Sequence, residues 1–140
     1  MPISYNISSE LKVVIYVCEG FVTGSDLFKT AGIIVKDKRY RYGMLLLIDL
    51  LSASLDFELQ DLRRIITETN ATQENGLEPE QIILLSRNSG IYLACKTLDL
   101  LSINNAIKLN VFHTLEQALI SLDLTTHQQE IIQFWHASKA

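Results

Sequence analysis

Residues 11–35, LKVVIYVCEGFVTGSDLFKTAGIIV, decide the fold of this chain. The first half is apolar at nearly every position, which predicts a strand covered on both faces and therefore central in a sheet. Thr23 and Asp26 then match an N-terminal helix cap, and apolar residues follow at helical spacing. A buried strand that leads directly into a helix is typical of an α/β domain.

Similar apolar segments recur at intervals long enough to hold a helix. MLLLIDL (residues 44–50), QIILL (81–85) and KLNVF (108–112) predict three further strands. Alternating Ile3, Tyr5 and Ile7 predict a short strand that forms a hairpin with residues 11–22. Repeated strand–helix–strand units imply right-handed crossovers. We therefore predict an α/β fold with a mixed, mostly parallel sheet of about five strands, an N-terminal β-hairpin and helices packed on the sheet.

The predicted helices are identified by apolar residues at helical spacing. Two follow the third and fourth strands, and another follows a capping box formed by Thr114 and Gln117. The apolar positions of the first two are Leu59, Leu62, Ile65 and Ile66, then Leu93, Ala94, Leu98 and Leu101. We assign residues 1–124 to one domain and residues 125–140 to a C-terminal helical extension of it.

Composition narrows the classes of function. The chain has 140 residues, of which 48% are apolar and 20% charged, as in a globular protein. A net charge of −4 provides no general basic field, so nucleic acid is not an expected partner. No apolar run reaches the ~18 residues of a membrane-spanning helix. The N-terminus lacks the pattern of a signal peptide, and Cys18 and Cys95 lie in apolar runs. These features predict a cytoplasmic protein with buried, reduced thiols.

The pattern resembles the SpoIIAA-like family, small bacterial proteins grouped with STAS domains and described as CRAL-TRIO-like in fold. The resemblance rests on MPISYNISSELKVVIYVCEGFVTGSDL at the N-terminus, on LLLIDL, and on the later segments QIILLS and LNVFHTLEQAL. It spans residues 3–124. It implies a cytoplasmic protein and no established enzymatic activity common to the family.

One departure from the STAS pattern concerns a phosphorylation site. STAS-type anti-sigma-factor antagonists carry a D-S-[ST]-G element at the start of the helix after the central strand. At that place this chain has residues 56–59, DFEL, with neither a hydroxyl nor a glycine. Ser52 and Ser54 lie upstream, in the predicted loop, and do not match the element. The resemblance therefore does not extend to a serine phosphoswitch. Asp56 is instead predicted to cap the following helix.

Polar side chains at the ends of three predicted strands form the best candidate ligand site. Ligands of open α/β sheets bind outside the carboxyl ends of the strands. If the three strands are parallel, these groups gather along one edge. They are Asp49 and Ser52, then Ser86, Arg87, Asn88 and Ser89, and finally His113.

These residues do not form a known catalytic or nucleotide signature. SRNSG (residues 86–90) could bind an anion with backbone N–H groups, but helix capping is the favoured interpretation since both nucleotide fingerprints are missing. Asp49, Ser52 and His113 could form an acid–base set with a nucleophile, but no G-x-S-x-G motif positions them. The three histidines have no metal-ligand spacing. We predict no catalytic residue, no metal and no cofactor, and we expect Asp49 to stabilise a turn that ends its strand.

Two surface segments could make contacts. KDKRYRYG (residues 36–43) is predicted to be a solvated turn, and it is also where an anionic partner would bind. Its basic residues are Lys36, Lys38, Arg39 and Arg41. The C-terminal helix presents Ile131, Phe134 and Trp135, which either pack on the chain's own sheet or dock on a second subunit.

The sequence leaves two functions open. The first hypothesis is a non-enzymatic regulatory module that binds another protein, or a second copy of itself. The alternative, implied by the CRAL-TRIO-like relationship, is a carrier of a small apolar or amphipathic ligand. A carrier needs a cavity between sheet and helices, whereas an interaction module can be fully packed.

Overall fold

A computed structural model of the chain describes residues 3–41, 43–56, 81–87, 108–121 and 127–139. Those residues form five strands and three helices. In chain order they are β1 (Ile3–Ser8), β2 (Val13–Thr23), α1 (Gly24–Ile34), β3 (Leu45–Asp56), β4 (Gln81–Leu85), β5 (Lys108–Phe112), α2 (Leu115–Ser121) and α3 (Gln128–Lys139). The helices predicted around residues 59–66 and 93–101 lie outside the described residues.

The strands form one sheet in the order β1-β2-β3-β4-β5. β1 is antiparallel to β2, and each later strand is parallel to its neighbour. The predicted hairpin, the central position of residues 13–23 and the mixed, mostly parallel α/β sheet are therefore confirmed.

Both faces of the sheet are buried, because successive side chains of a strand point to opposite sides. On the first face, Val14 and Ile48 pack in one core with Ile34 of α1. On the second face, Ile15 and Leu47 pack in another core with residues of α2 and α3. A near-continuous apolar sequence in β2 and β3 is what this double burial requires.

Two of the predicted helix caps are present. The Thr23 hydroxyl accepts from the backbone N–H of Asp26 at 3.2 Å, and the Asp26 carboxylate accepts from the backbone N–H of Thr23 at 3.0 Å. At α2, the Thr114 hydroxyl accepts from the backbone N–H of Gln117 at 3.2 Å. Both pairs satisfy N–H groups that the first turn of a helix leaves without a partner.

β3 is longer than predicted, which corrects the expected position of Asp49. The strand does not end at Asp49 but continues to Asp56, so Ser52 and Ser54 lie in a strand and not in a loop. Residues 52–56 pair with residues 19–23 of β2, beyond the point where the ladder between β3 and β4 stops at Asp49. We call these two paired segments the β2–β3 extension. Asp56, expected to cap a helix, is the last residue of β3.

None of the described helices is long and apolar enough to cross a bilayer.

Replacing either of two exposed glycines by alanine is expected to change the free energy of unfolding, in opposite directions. Gly32 lies in α1 and Gly20 in β2 with φ +71°, and a Cβ at either position would meet no atom within 4 Å. We expect Gly32→Ala to raise the free energy of unfolding by about 0.5–1 kcal/mol, since alanine is the better helix former. Gly20→Ala should lower it by about 1 kcal/mol, since L-residues disfavour positive φ. Urea unfolding followed by circular dichroism measures both, and equal effects of the two substitutions would contradict this assignment.

Candidate functional site

The predicted strand-end residues lie on adjacent strands at one level of the sheet. Asp49 of β3 is the register partner of Leu85, and Leu85 is the partner of Phe112. Ser86 and His113 directly follow those last residues of β4 and β5. The parallel arrangement therefore places Asp49, Ser86 and His113 at neighbouring levels of adjacent strands.

The Asp49 carboxylate is buried and makes all its described contacts within the chain. Asp49 is only 2% exposed to solvent. Oδ1 accepts from the backbone N–H of Leu51 at 2.9 Å, and Oδ2 accepts from the indole N–H of Trp135 at 2.8 Å. Oδ2 also lies 3.2 Å from Nζ of Lys139. We call Asp49, Trp135 and Lys139 the Asp49 cluster.

An irregularity in β3 explains the contact to Leu51. Between Val17 and Glu19 of β2 the register with β3 shifts, since their partners are Asp49 and Ser52. One extra residue of β3 is accommodated there, and such a bulge leaves part of the ladder without its usual partner. The Asp49 carboxylate accepts the N–H of Leu51 at this point. Asp49 therefore stabilises a bulge within a strand, and the prediction that it stabilises a turn at a strand end was wrong.

The Asp49 cluster also attaches α3 to the sheet. A buried carboxylate is costly unless it is hydrogen-bonded and paired with a charge, and α3 supplies both partners. The ammonium of Lys139 lies 4.5 Å from the ring centroid of Trp135, so it contacts the carboxylate and the indole together. The hydrogen bond from Trp135 and the ion pair with Lys139 thus compensate for the burial of the Asp49 carboxylate.

Ser86 and His113 contact each other at the ends of β4 and β5. The backbone N–H of Ser86 donates to the carbonyl of Phe112 at 3.0 Å, and Nδ1 of His113 lies 3.1 Å from the carbonyl oxygen of Ser86. A carbonyl oxygen only accepts, so Nδ1 carries the hydrogen in this contact. Ser86 is buried, whereas His113 and Arg87 are exposed. Asn88 and Ser89 lie outside the described residues.

The structure does not assemble the hypothetical acid–base set. Among the described residues, the carboxylate of Asp49 has no hydrogen bond to Ser52 or His113. Ser52 is exposed in the β2–β3 extension, three positions beyond the buried acid. No three His, Cys, Asp or Glu side chains of the described residues form a group that could hold a metal ion.

Cys18 lies in the core of the first face, where burial raises the pKa of its thiol to about 12, with a smaller contribution from the negative charge of Asp49. A thiol with this pKa is almost entirely protonated at neutral pH, and only the thiolate is a good nucleophile. Cys18 is therefore a packing residue.

The basic turn after α1 is attached to β1. Two nitrogens of the Arg39 guanidinium donate to the Asp37 carboxylate at 3.2 and 3.0 Å, and the Tyr5 hydroxyl donates to the same carboxylate at 3.0 Å. The side-chain hydrogen bonds from Arg39 hold the pKa of Asp37 well below its usual range. Nη1 of Arg41 donates to the carbonyls of Lys38 and Tyr40. Lys36 and Lys38 are exposed.

The C-terminal helix packs on its own sheet. Ile131 and Trp135 are buried in the core of the second face, and Phe134 packs against that core. The contact between Trp135 and Asp49 joins residues 86 positions apart. This pair was not predicted from the sequence. The available signal was one acid within an apolar run and a single tryptophan in the chain.

No protein-family model matches the sequence, and no curated protein matches it. Among solved structures, the chain is similar to the crystal structure of an uncharacterized protein of the DUF3478 family from Shewanella loihica PV-4, which has a SpoIIAA-like fold. The two chains share 13% sequence identity, and the similarity covers 86% of this chain and 91% of that one with a TM-score of 0.53. The SpoIIAA-like fold expected from the sequence is therefore confirmed, and the CRAL-TRIO-like relationship stays a prediction.

Proposed function

We propose that this protein is a non-enzymatic regulatory module that binds another protein on a SpoIIAA-like scaffold. The proposal rests on the burial and hydrogen bonding of the Asp49 carboxylate. A general acid or base must reach its substrate, whereas this carboxylate is buried and accepts from Leu51, Trp135 and Lys139 of its own chain. Asp49, in the bulge of β3, stabilises the fold, and recognition by the protein surface is the role that fits the scaffold.

The β2–β3 extension supports this proposal with an exposed aromatic side chain. Phe21 is 63% exposed, although it lies in β2 and pairs with β3. Its register partner is Ser54, and the neighbouring Glu19 and Ser52 are exposed and polar. Aromatic residues with a polar surround are typical anchors of protein interfaces. We assign Phe21 as the anchor for the partner protein.

The proposed module works without a serine phosphoswitch. Residues 56–59, DFEL, contain no hydroxyl at the place where STAS-type antagonists carry their phosphorylated residue. Ser52 and Ser54, the nearby hydroxyl residues, lie in β3. Partner binding is therefore expected to be independent of phosphorylation at this place.

Affinity capture from the source cell tests the proposal. The wild-type chain should retain one partner protein in stoichiometric amount, and Phe21→Ser should reduce its retention at least about tenfold, as for an interface hot spot. Ile120→Ser is the matched control, because Ile120 of α2 is 64% exposed and lies outside the extension. Retention by this control should equal that of the wild type.

Two results would contradict the proposal. The first is equal retention by the Phe21 and Ile120 variants, which would show that the extension is not the binding surface. The second is an apolar small molecule bound in stoichiometric amount, detected by native mass spectrometry of gently purified protein. That result would favour the carrier alternative.

A further inference from the structure

Positive charge is concentrated in one segment of an otherwise acidic protein. Residues 29–41 hold five basic side chains and one acidic side chain, while the whole chain has a formal net charge of −4. The remaining residues together therefore carry −8. We call residues 29–41 the basic edge; its basic residues are Lys29, Lys36, Lys38, Arg39 and Arg41.

Within the basic edge, one charge is neutralised and the others face solvent. Asp37, the only acid of the segment, forms an ion pair with Arg39 at 3.0 Å. Lys29, Lys36 and Lys38 are exposed and have no ion pair among the described residues, and Arg41 bonds to backbone carbonyls, which leave its charge in place. Among the described residues, no carboxylate forms an ion pair with these four cations, and Asp26 is the acid whose charge interacts with Lys29.

The edge is held in a fixed position against β1. Arg39 hydrogen-bonds to Asn6 through its guanidinium at 3.4 Å and accepts from the Ser9 hydroxyl through its backbone carbonyl at 3.2 Å. Tyr5 donates to Asp37, as described above. These contacts hold Asp37 and Arg39, the neighbours of Lys36 and Lys38, in place, which reduces the entropy lost when this segment binds.

Two exposed aliphatic side chains accompany the charges. Ile33 is 47% exposed and Val35 is 43% exposed, at the end of α1 where Lys36 follows. On the helix, Lys29 and Ile33 are four residues apart and therefore neighbours on its outer surface. Aliphatic side chains among lysines are the combination that binds the interface of an anionic bilayer.

We propose that the basic edge binds the surface of an anionic lipid bilayer, as a peripheral contact. Charge complementarity attracts the lysines to the headgroups, and Ile33 and Val35 enter the region between headgroups and acyl chains. Single-stranded nucleic acid fits less well, because base stacking requires exposed aromatic side chains. The aromatic residue of the basic edge is Tyr40, and it is buried.

Vesicle co-sedimentation of the full chain tests this proposal. At low ionic strength the protein should bind vesicles of phosphatidylcholine that contain about one third phosphatidylglycerol, and it should be released near 0.5 M salt, where charges are screened within a few ångströms. Pure phosphatidylcholine vesicles should not bind it. The double variant Lys36→Gln/Lys38→Gln should bind the anionic vesicles about 30-fold more weakly.

A second double variant controls for net charge. Gln117→Glu/Gln129→Glu makes the same change of −2 on exposed positions of α2 and α3, whose helices pack on the opposite face of the sheet from α1. It should bind within about threefold of the wild type, because the added charges act over a longer distance. Ile33→Ser should weaken binding roughly fivefold, and Ile120→Ser should leave it unchanged.

The outcomes separate this proposal from its alternatives. Equal binding to neutral vesicles, an equal loss in the two double variants, or no binding at low salt would each overturn it. Tighter binding of a short single-stranded oligonucleotide than of the anionic vesicles would also overturn it. The Phe21→Ser variant should bind vesicles normally, so failure of the membrane contact and failure of the protein-binding role are distinguishable.

Discussion

Replacing Trp135 by alanine is expected to lower the free energy of unfolding by about 4 kcal/mol, the range found when a buried aromatic side chain is truncated. The indole is buried in the core of the second face, and its N–H donates to Asp49 at 2.8 Å. The substitution therefore creates a cavity and also removes a hydrogen bond from a buried carboxylate. Both effects destabilise the folded state, and both loosen α3 from the sheet.

Two further substitutions separate these effects. Trp135→Phe keeps most of the apolar contact but loses the N–H donor, and it should cost about 1–2 kcal/mol. Gln133→Ala changes an exposed residue of the same helix and should stay within about 0.5 kcal/mol of the wild type. Urea unfolding followed by far-ultraviolet circular dichroism suits all three, since Trp135 is the only tryptophan and its fluorescence is lost in two of them. A cost below about 1 kcal/mol for Trp135→Ala would contradict the packing of α3 described above.

The strands of this fold were predictable because burial of both faces of a strand produces a run of consecutive apolar residues in the sequence. Residues 13–18 are all buried, and only a strand covered on both faces requires apolar side chains at successive positions. The caps at Thr23 and Thr114 were predictable for the same reason, since the donor and the acceptor lie three residues apart. Interactions within a few residues can be recognised in one sequence.

The length of β3 and the role of Asp49 depend on residues far away in the chain. An acid after four apolar residues has the local appearance of a strand end, and the serines that follow resemble a turn. Pairing with residues 19–23 of β2 nevertheless continues the strand to Asp56. The partners that make a buried Asp49 tolerable are supplied by α3, 86 or more residues later. No pattern within residues 45–58 contains that information.

Replacing Asp49 by alanine is expected to lower the free energy of unfolding by about 3 kcal/mol, although it removes a charge from the core. The N–H groups of Leu51 and Trp135 would lose their acceptor in a buried environment. Loss of the ion pair to Lys139 would cost less, because the Lys139 side chain is 32% exposed and can turn towards water. Asp49→Asn should cost less, about 1.5 kcal/mol, since the amide oxygen can still accept one of the two hydrogen bonds.

A double-mutant cycle distinguishes this hydrogen-bonded cluster from simple loss of packing. If Asp49 and Trp135 interact as the 2.8 Å contact indicates, Asp49→Ala should cost about 1–2 kcal/mol less in a Trp135→Phe background than in the wild type. Asp56→Ala is the control, because Asp56 is an exposed acid at the end of the same strand and should show no coupling to Trp135. Lys139→Gln should cost less than about 1 kcal/mol, as expected for a partly exposed ion pair. Additive costs for Asp49 and Trp135 would mean that the carboxylate does not stabilise the position of α3, and Asp49 would again be a candidate for chemistry.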